Sequence, residues 1–201
     1  ARGGYRVFAD QDYESRIKGG HNFFRVRVKD SEVGAIDEPV DVLLVLDKES
    51  IDRHHNEVVE KGVILFDGEM MKDISESQTL FSVPLDRLAE EKGGNKIMAN
   101  TVLLGAALGL VGYEFPIVDR VLRDHFGAGD VGEGNVKAAR AGYEYAQEKF
   151  RGDFSHHLRP LSEAKRMFLN GNESLALGAI AAGCKFMAAY PMTPTTSIME
   201  Y

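Results

Sequence analysis

The chain has 201 residues, 44% of them hydrophobic and 27% charged, with a formal net charge of −7. That suits one sizeable soluble domain, or one domain and part of another. The negative balance argues against a nucleic-acid or anionic-membrane partner, which needs a basic face. The longest apolar stretch, Thr101–Gly112, is too short for the roughly 18 residues that span a bilayer. With one cysteine, Cys184, the chain builds no internal disulfide and no cysteine-based zinc or iron–sulfur site of its own. A reducing cytoplasm is the plain reading.

The chain opens abruptly on ARGGY, with no initiator Met, and ends on a motif; it reads as a piece of a longer polypeptide. Tyr5–Ala9 alternates as a strand, and Glu14–Asn22 is a polar loop containing Gly19 and Gly20. FFRVRVKD alternates again, with Phe24, Val26 and Val28 on one face and Arg25 and Arg27 on the other, the pattern of a half-buried strand. Asp41–Asp47 is a continuous apolar run closed by an acid, typical of a buried parallel strand. KESIDRHHNEVVEKG follows as a helix with Gly62 as its C-cap, and Val63–Gly68 is the next buried strand. Strand, helix, strand at short spacing is the signature of an α/β layer.

FSV is a further short strand, stopped by Pro84 and followed by a helical turn. NKIMANTVLLGAALGLVG predicts a helix whose Gly105, Ala106, Ala107 and Gly109 permit close packing. PIVDRVLRDHF and EGNVKAARAGYEYAQEKF predict two amphipathic helices. Residues 1–150 therefore read as one α/β domain ending in helices, and 151–170, with Pro160, as a linker. From 171 to 201 the texture is that of a second α/β domain beginning: a Gly/Ala-rich helix, a strand, then Tyr190-Pro191-Met192-Thr193-Pro194. A segment of about thirty residues cannot bury a core alone and is expected to lean on the first domain or on a neighbour.

Few motifs survive their context. Gly127–Gly132 spells the dinucleotide pattern G-x-G-x-x-G, but a helix precedes it where the fingerprint needs a strand, so it reads as a helix–helix loop. The pairs His54-His55 and His156-His157 suggest metal at first sight. Adjacent helical residues point about 100° apart and make poor co-ligands, so these read as solvated surface histidines. Cys184 lies in an apolar stretch and reads as a small core residue.

Two stretches carry more. In SRIKGGHN, paired glycines let backbone approach a ligand or another chain, and Arg16 and Lys18 suit a phosphate or carboxylate beside His21 and Asn22. A tight turn bearing solvated charges accounts for the same residues equally well. In YPMTP, Pro191 and Pro194 stiffen the backbone after the predicted strand. Thr193 then presents a hydroxyl at a strand end, where open α/β sheets bind ligands. Thr195, Thr196 or Ser197 is placed to cap a following helix.

NGNESLALGAIAAGCKFMAAYPMTPTTSIMEY resembles the opening of the α subunit of 2-oxoacid:ferredoxin oxidoreductases, which usually show Y-P-I-T-P-S-S; here Met192 replaces the Ile, and threonines stand at 195 and 196. SRIKGGHNFFRVRV, DVLLVLD and MANTVLLGAALGL resemble the γ domain of the same enzymes. The order γ then α resembles the fused large subunit of the two-subunit enzymes. The resemblance implies a three-layer α/β γ domain with a mostly parallel sheet, lacking its first strand, followed by the entrance to the α domain.

It also implies oxidative decarboxylation of a 2-oxoacid, with a leaning toward 2-oxoglutarate or a broad range, to an acyl-CoA and CO2. Such enzymes use thiamine diphosphate with its Mg ion, coenzyme A, and iron–sulfur clusters that reduce ferredoxin. The diphosphate site and clusters usually lie on the β subunit, in an αβ or (αβ)2 assembly. By the same resemblance Thr193 contacts the 2-oxoacid, shaped by Tyr190, Pro191 and Pro194. Arg16, Lys18, Gly19, Gly20, His21 and Asn22 fall on the coenzyme A side or at a subunit contact. The thiamine-activating glutamate has no counterpart before Tyr201, so no catalytic residue is expected here and the fragment alone should be inactive. A non-catalytic binding or assembly module that kept the γ scaffold is the rival reading.

Overall fold

The computed structural model describes residues 2–14, 17–37, 39–69, 79–162 and 166–201. It divides into two compact units, Arg2–Ala164 and Lys165–Tyr201. The first unit opens with β1 (Arg6–Tyr13) and β2 (Asn22–Lys29), an antiparallel hairpin in which Ala9 pairs with Val26 and Val7 with Val28. A separate parallel sheet holds β3 (Val40–Leu44), β4 (Val58–Phe66) and β5 (Thr79–Ser82) in that order. The chain is thus mixed α/β around a parallel sheet, as its strand–helix–strand pattern predicts.

The sheet is buried on both faces because β4 alternates between two cores. Val63 and Leu65 pack with Phe81, Val102, Ala106 and Leu110, while Ile64 and Phe66 pack with Val45 and Ile51. On the second side lies α1 (Lys48–His54), begun by Asp47, whose carboxylate accepts the Ser50 N–H at 2.8 Å. The acid that closes the apolar run is therefore the helix cap. On the first side lie α3 (Ala99–Leu110) and α5 (Asp130–Lys149), reached through the short α2 (Leu85–Leu88) and separated by α4 (Phe115–Phe126).

α3 and α5 cross with almost no gap. A Cβ on Gly105 would run into the Ala139 carbonyl, one on Gly109 into that of Tyr143, and one on Gly142 into that of Val102. The small residues predicted to allow close packing do so by removing side chains at these crossings. Where the helices meet, the buried hydroxyl of Thr101 donates to Asn135 Oδ1 at 2.8 Å, and Asn135 Nδ2 donates to the Val131 carbonyl. The polar pair is thereby satisfied.

Two local readings in this unit change. α1 stops at His54, a 3-10 turn covers His55–Glu57, and β4 starts at Val58, so Gly62 lies inside a strand and caps nothing. The β-branched pair Val58-Val59 joins the sheet opposite Val40, and the register then slips before Val42 meets Val63. Gly62 allows that irregularity, since a Cβ there would meet Val58 Cγ1 at 2.6 Å and the Asp41 carbonyl at 3.0 Å. In β2 the two faces separate as predicted but their exposures run against hydropathy. Phe24 and Val26 are 61% and 51% exposed. Arg25 and Arg27 are less exposed and pair with acids, Arg25 with the part-buried Glu57 at 3.0 Å and Arg27 with the exposed Asp37 at 2.8 Å.

As predicted, Gly127–Gly132 lies where α4 passes into α5, with no strand before it. Gly127 closes α4 at φ 82°, and a Cβ on Gly132 would strike the Gly127 carbonyl. These glycines shape a helix–helix corner.

In the second unit, α6 (Gly171–Ala181) begins with a capping box: Asn170 accepts the Glu173 N–H at 3.0 Å, and Glu173 accepts the Asn170 N–H at 2.8 Å. The predicted strand after it is absent, for Lys185–Tyr190 finds no strand partner among the described residues. Apolar patterning cannot make a strand without a neighbour to complete its hydrogen bonds. Cys184 is exposed there, its thiol 3.3 Å from the Phe186 carbonyl, and is not the core residue its surroundings suggest.

Candidate functional site

The loop from Glu14 to His21 turns β1 back into β2. Gly19 and Gly20 hold φ of 73° and 121°, which side-chain-bearing residues rarely adopt. A Cβ on Gly20 would also lie 2.6 Å from the Glu14 carboxylate. So the paired glycines first make the turn. Arg16 lies outside the described residues, and Lys18 is exposed.

His21, at the loop's end, is where the site begins. Its Nε2 lies 2.7 Å from Nε2 of His54, at the end of α1, with the ring centroids 4.9 Å apart and the ring planes 29° from parallel. His54 Nδ1 lies 2.8 Å from Glu57 Oε1, and Arg25 donates to Glu57 Oε2 at 3.0 Å. Phe23 meets the His54 ring edge-on at 4.9 Å. The side chain of His54 is only 13% exposed. The reading of His54 as a solvated surface histidine is therefore wrong. It is bonded at both nitrogens because the loop folds back over α1, a contact between residues 33 apart. His55 behaves as its helical position dictates, turning its Nδ1 to the Ile51 carbonyl, and His156 and His157 are exposed.

These groups wall a cavity of about 610 Å3, with Gly20 and Asn22 on one side and Leu44, Asp47 and Ser50 on the other. A second cavity, about 470 Å3, continues along β2 and β3 between Arg27 and Asp41. The first combines proton-carrying imidazoles, an amide and a carboxylate with apolar walls, the mix that orients a small ligand. Of the residues lining this cavity the sequence singles out Gly20, His21 and Asn22 but not His54, Glu57 or Arg25. The local signal was the spacing of His54 and Glu57, three residues apart at a helix end; the link to His21 is tertiary. Among the described residues no three His, Cys, Asp or Glu side chains converge as a metal site.

The YPMTP stretch lies in the second unit. Met192 N–H donates to the Tyr190 carbonyl and Thr195 N–H to the Met192 carbonyl, both at 2.8 Å, forming a compact turn with a cis Thr193–Pro194 peptide. Tyr190 is 80% exposed, and Pro191, Thr193 and the residues around them are open. α7 (Thr195–Met199) follows without a side-chain cap. Ser197 donates to the Pro194 carbonyl at 2.9 Å and accepts from Asn172 Nδ2 at 2.8 Å, so it ties α7 to α6. The described residues of the loop group lie in the first unit and those of the YPMTP group in the second.

Residues 1–145 match the model of the pyruvate ferredoxin/flavodoxin oxidoreductase family. A 2-oxoacid:ferredoxin oxidoreductase α subunit from Aeropyrum pernix is 25% identical over 98% of this chain and 38% of its own length. A ketoisovalerate oxidoreductase subunit from Methanothermobacter thermautotrophicus is 31% identical over 70% of this chain and 30% of its own. Among solved structures, the 2-oxoglutarate:ferredoxin oxidoreductase from Magnetococcus marinus, with 2-oxoglutarate, coenzyme A and succinyl-CoA bound, superposes with a TM-score of 0.85 at 25% identity. That superposition covers 100% of this chain and 36% of the other. The chain spans less than two-fifths of the length of these relatives. The hairpin, the parallel sheet and the helix layers above it are those of an oxidoreductase subunit, and the chain belongs to the pyruvate ferredoxin/flavodoxin oxidoreductase family.

Proposed function

We propose that this chain is part of the large subunit of an enzyme that oxidatively decarboxylates a 2-oxoacid, 2-oxoglutarate or a broad range, to an acyl-CoA and CO2 while reducing ferredoxin. The observation that carries the reading is the likeness over the whole chain, both units included, to an enzyme whose structure holds 2-oxoglutarate, coenzyme A and succinyl-CoA. In this reading residues 1–150 are the γ domain, 151–170 the linker and 171–201 the start of the α domain. Thr193 contacts the 2-oxoacid, with Tyr190, Pro191 and Pro194 setting its place. The loop carrying Arg16, Lys18, Gly19, Gly20, His21 and Asn22 faces coenzyme A or the partner subunit.

By the family resemblance iron–sulfur ligation, thiamine diphosphate and its Mg ion belong to a β subunit, and the one cysteine of this chain is consistent with that. Those cofactors supply the carbanion and electron-transfer chemistry; this chain positions and encloses. The assembly is αβ or (αβ)2 in the cytoplasm, and the 201-residue piece alone is inactive. The exposed apolar row Phe24, Val26 and Val28 favours a second reading, a module that only joins subunits.

Viologen reduction by the full-length chain with its β partner separates the two. With coenzyme A, thiamine diphosphate and, in turn, 2-oxoglutarate, pyruvate and a branched 2-oxoacid, turnover with at least one is expected, and Thr193→Val should weaken it. No turnover with any, from a complex carrying its clusters, overturns the enzyme reading in favour of the module.

A further inference from the structure

The geometry points to a proton relay in the β1–β2 loop: His21, His54 and Glu57 take up one proton from a donor entering the cavity at His21 and carry its charge inward to Glu57. The hydrogen-bond directions follow from which groups can donate. An ionised Glu57 only accepts, and it already accepts from Arg25 at 3.0 Å, so His54 Nδ1 carries the hydrogen across the 2.8 Å contact. A neutral His54 then offers the lone pair of its Nε2, and His21 Nε2–H must be the donor across 2.7 Å. That choice leaves Nδ1 of a neutral His21 unprotonated and able to accept.

The step balances. A weak acid in the cavity, of acidity near that of imidazole, gives its proton to His21 Nδ1 and becomes its conjugate base. His21 Nε2 releases its own proton to His54 Nε2. His21 is neutral again in the other tautomer, and the positive charge sits on His54 against Glu57. For a side chain 13% exposed, an imidazolium without that carboxylate would be disfavoured by lost hydration. The relay holds one proton only, because a second would turn both Nε2 atoms into donors facing each other at 2.7 Å.

The other charges around the pair are accounted for. Asp47 and Glu49 line the same cavity from the start of α1. Arg53 is bound by Glu14 and Glu49. Lys18 belongs to the loop itself, and Arg25 shares Glu57 and so limits its pull on His54. The relay is a property of this chain and does not rest on the reaction proposed above.

The test is a pH titration of the 15N-histidine-labelled chain by NMR, which reports the proton on each ring nitrogen of its six histidines. At high pH, His54 should be the Nδ1–H tautomer and His21 the Nε2–H tautomer. The first proton should appear on His54 rather than on His21, and in Glu57→Gln, whose amide oxygen still accepts from His54 but carries no charge, it should move toward His21. Arg25→Gln should move it the opposite way, and this arm stands if Glu57→Gln does not fold. The opposite tautomers in the wild type, or two protons taken up independently with neither variant moving them, would overturn the relay.

Discussion

Asp67 Oδ2 accepts the backbone N–H of Leu85 at 2.9 Å and that of Asp86 at 3.3 Å. Asp67 follows β4 and is 2% exposed, while Leu85 opens α2, so one buried carboxylate ties a strand end to a helix start 18 residues on. Its other oxygen accepts the Glu69 N–H at 2.9 Å. Leu85 and Asp86 lie in the first turn of α2, where backbone N–H groups have no acceptor within the helix.

Asp67→Ala should therefore cost about 2–3 kcal/mol of stability. Asp67→Asn keeps one oxygen acceptor and should cost about half of that. Urea unfolding followed by circular dichroism gives both values; equal, negligible losses would mean water replaces the carboxylate at no cost.

The α3–α5 crossing makes a sharper prediction. Gly105→Ala and Gly142→Ala each push a methyl into a carbonyl of the facing helix, and helix propensity favours the alanine. If packing dominates, each should lower stability by about 1–3 kcal/mol despite the better propensity. Ala at Gly178, which faces open space on α6, is the control and should be neutral or slightly stabilising in the same unfolding measurement.

The reversed faces of β2 can be tested by paired substitutions. Phe24→Thr should change stability by less than about 0.5 kcal/mol. Arg25→Ala breaks the half-buried pair with Glu57 and should cost about 1 kcal/mol. A larger loss at Phe24 than at Arg25 would show that the apolar row is covered in solution.

Tyr113 and Tyr143 have hydroxyls held above the usual tyrosine range, chiefly by burial, then for Tyr113 by neighbouring Tyr5 and Glu114 and for Tyr143 by Glu114. Between the unfolded value, about 10, and the higher folded value, the folded state binds more protons than the unfolded one. Stability is therefore fully present below about pH 10 and falls as pH rises above it. Tyr113→Phe should flatten that fall, read as the difference in urea midpoint between pH 8 and pH 11; an unchanged slope would exclude Tyr113 as its source.

Much of the fold was legible because it rests on local rules. The alternation of β4, the acid that caps α1, the glycines of α3 and the box that starts α6 each follow from a few adjacent residues and the spacing of side chains on a helix or strand. The corner at Gly127 was legible for the same reason, since a preceding helix removes the strand that a phosphate loop needs. The sequence by itself also singled out the residues expected to meet a ligand: one histidine beside two glycines, and one threonine between two prolines.

Only the tertiary structure decided the rest. Whether Phe24 or Arg25 faces inward depends on which element packs against β2, and Glu57 and Asp37 supplied partners for the arginines. Gly62 entered a strand because β3 lay beside it, and Lys185–Tyr190 did not form one because no strand did. His54 left the surface because a loop 33 residues earlier closed over it. Hydropathy describes what a face would prefer to touch; the neighbour that meets it, with its charge and free hydrogen-bonding groups, settles whether that preference is met.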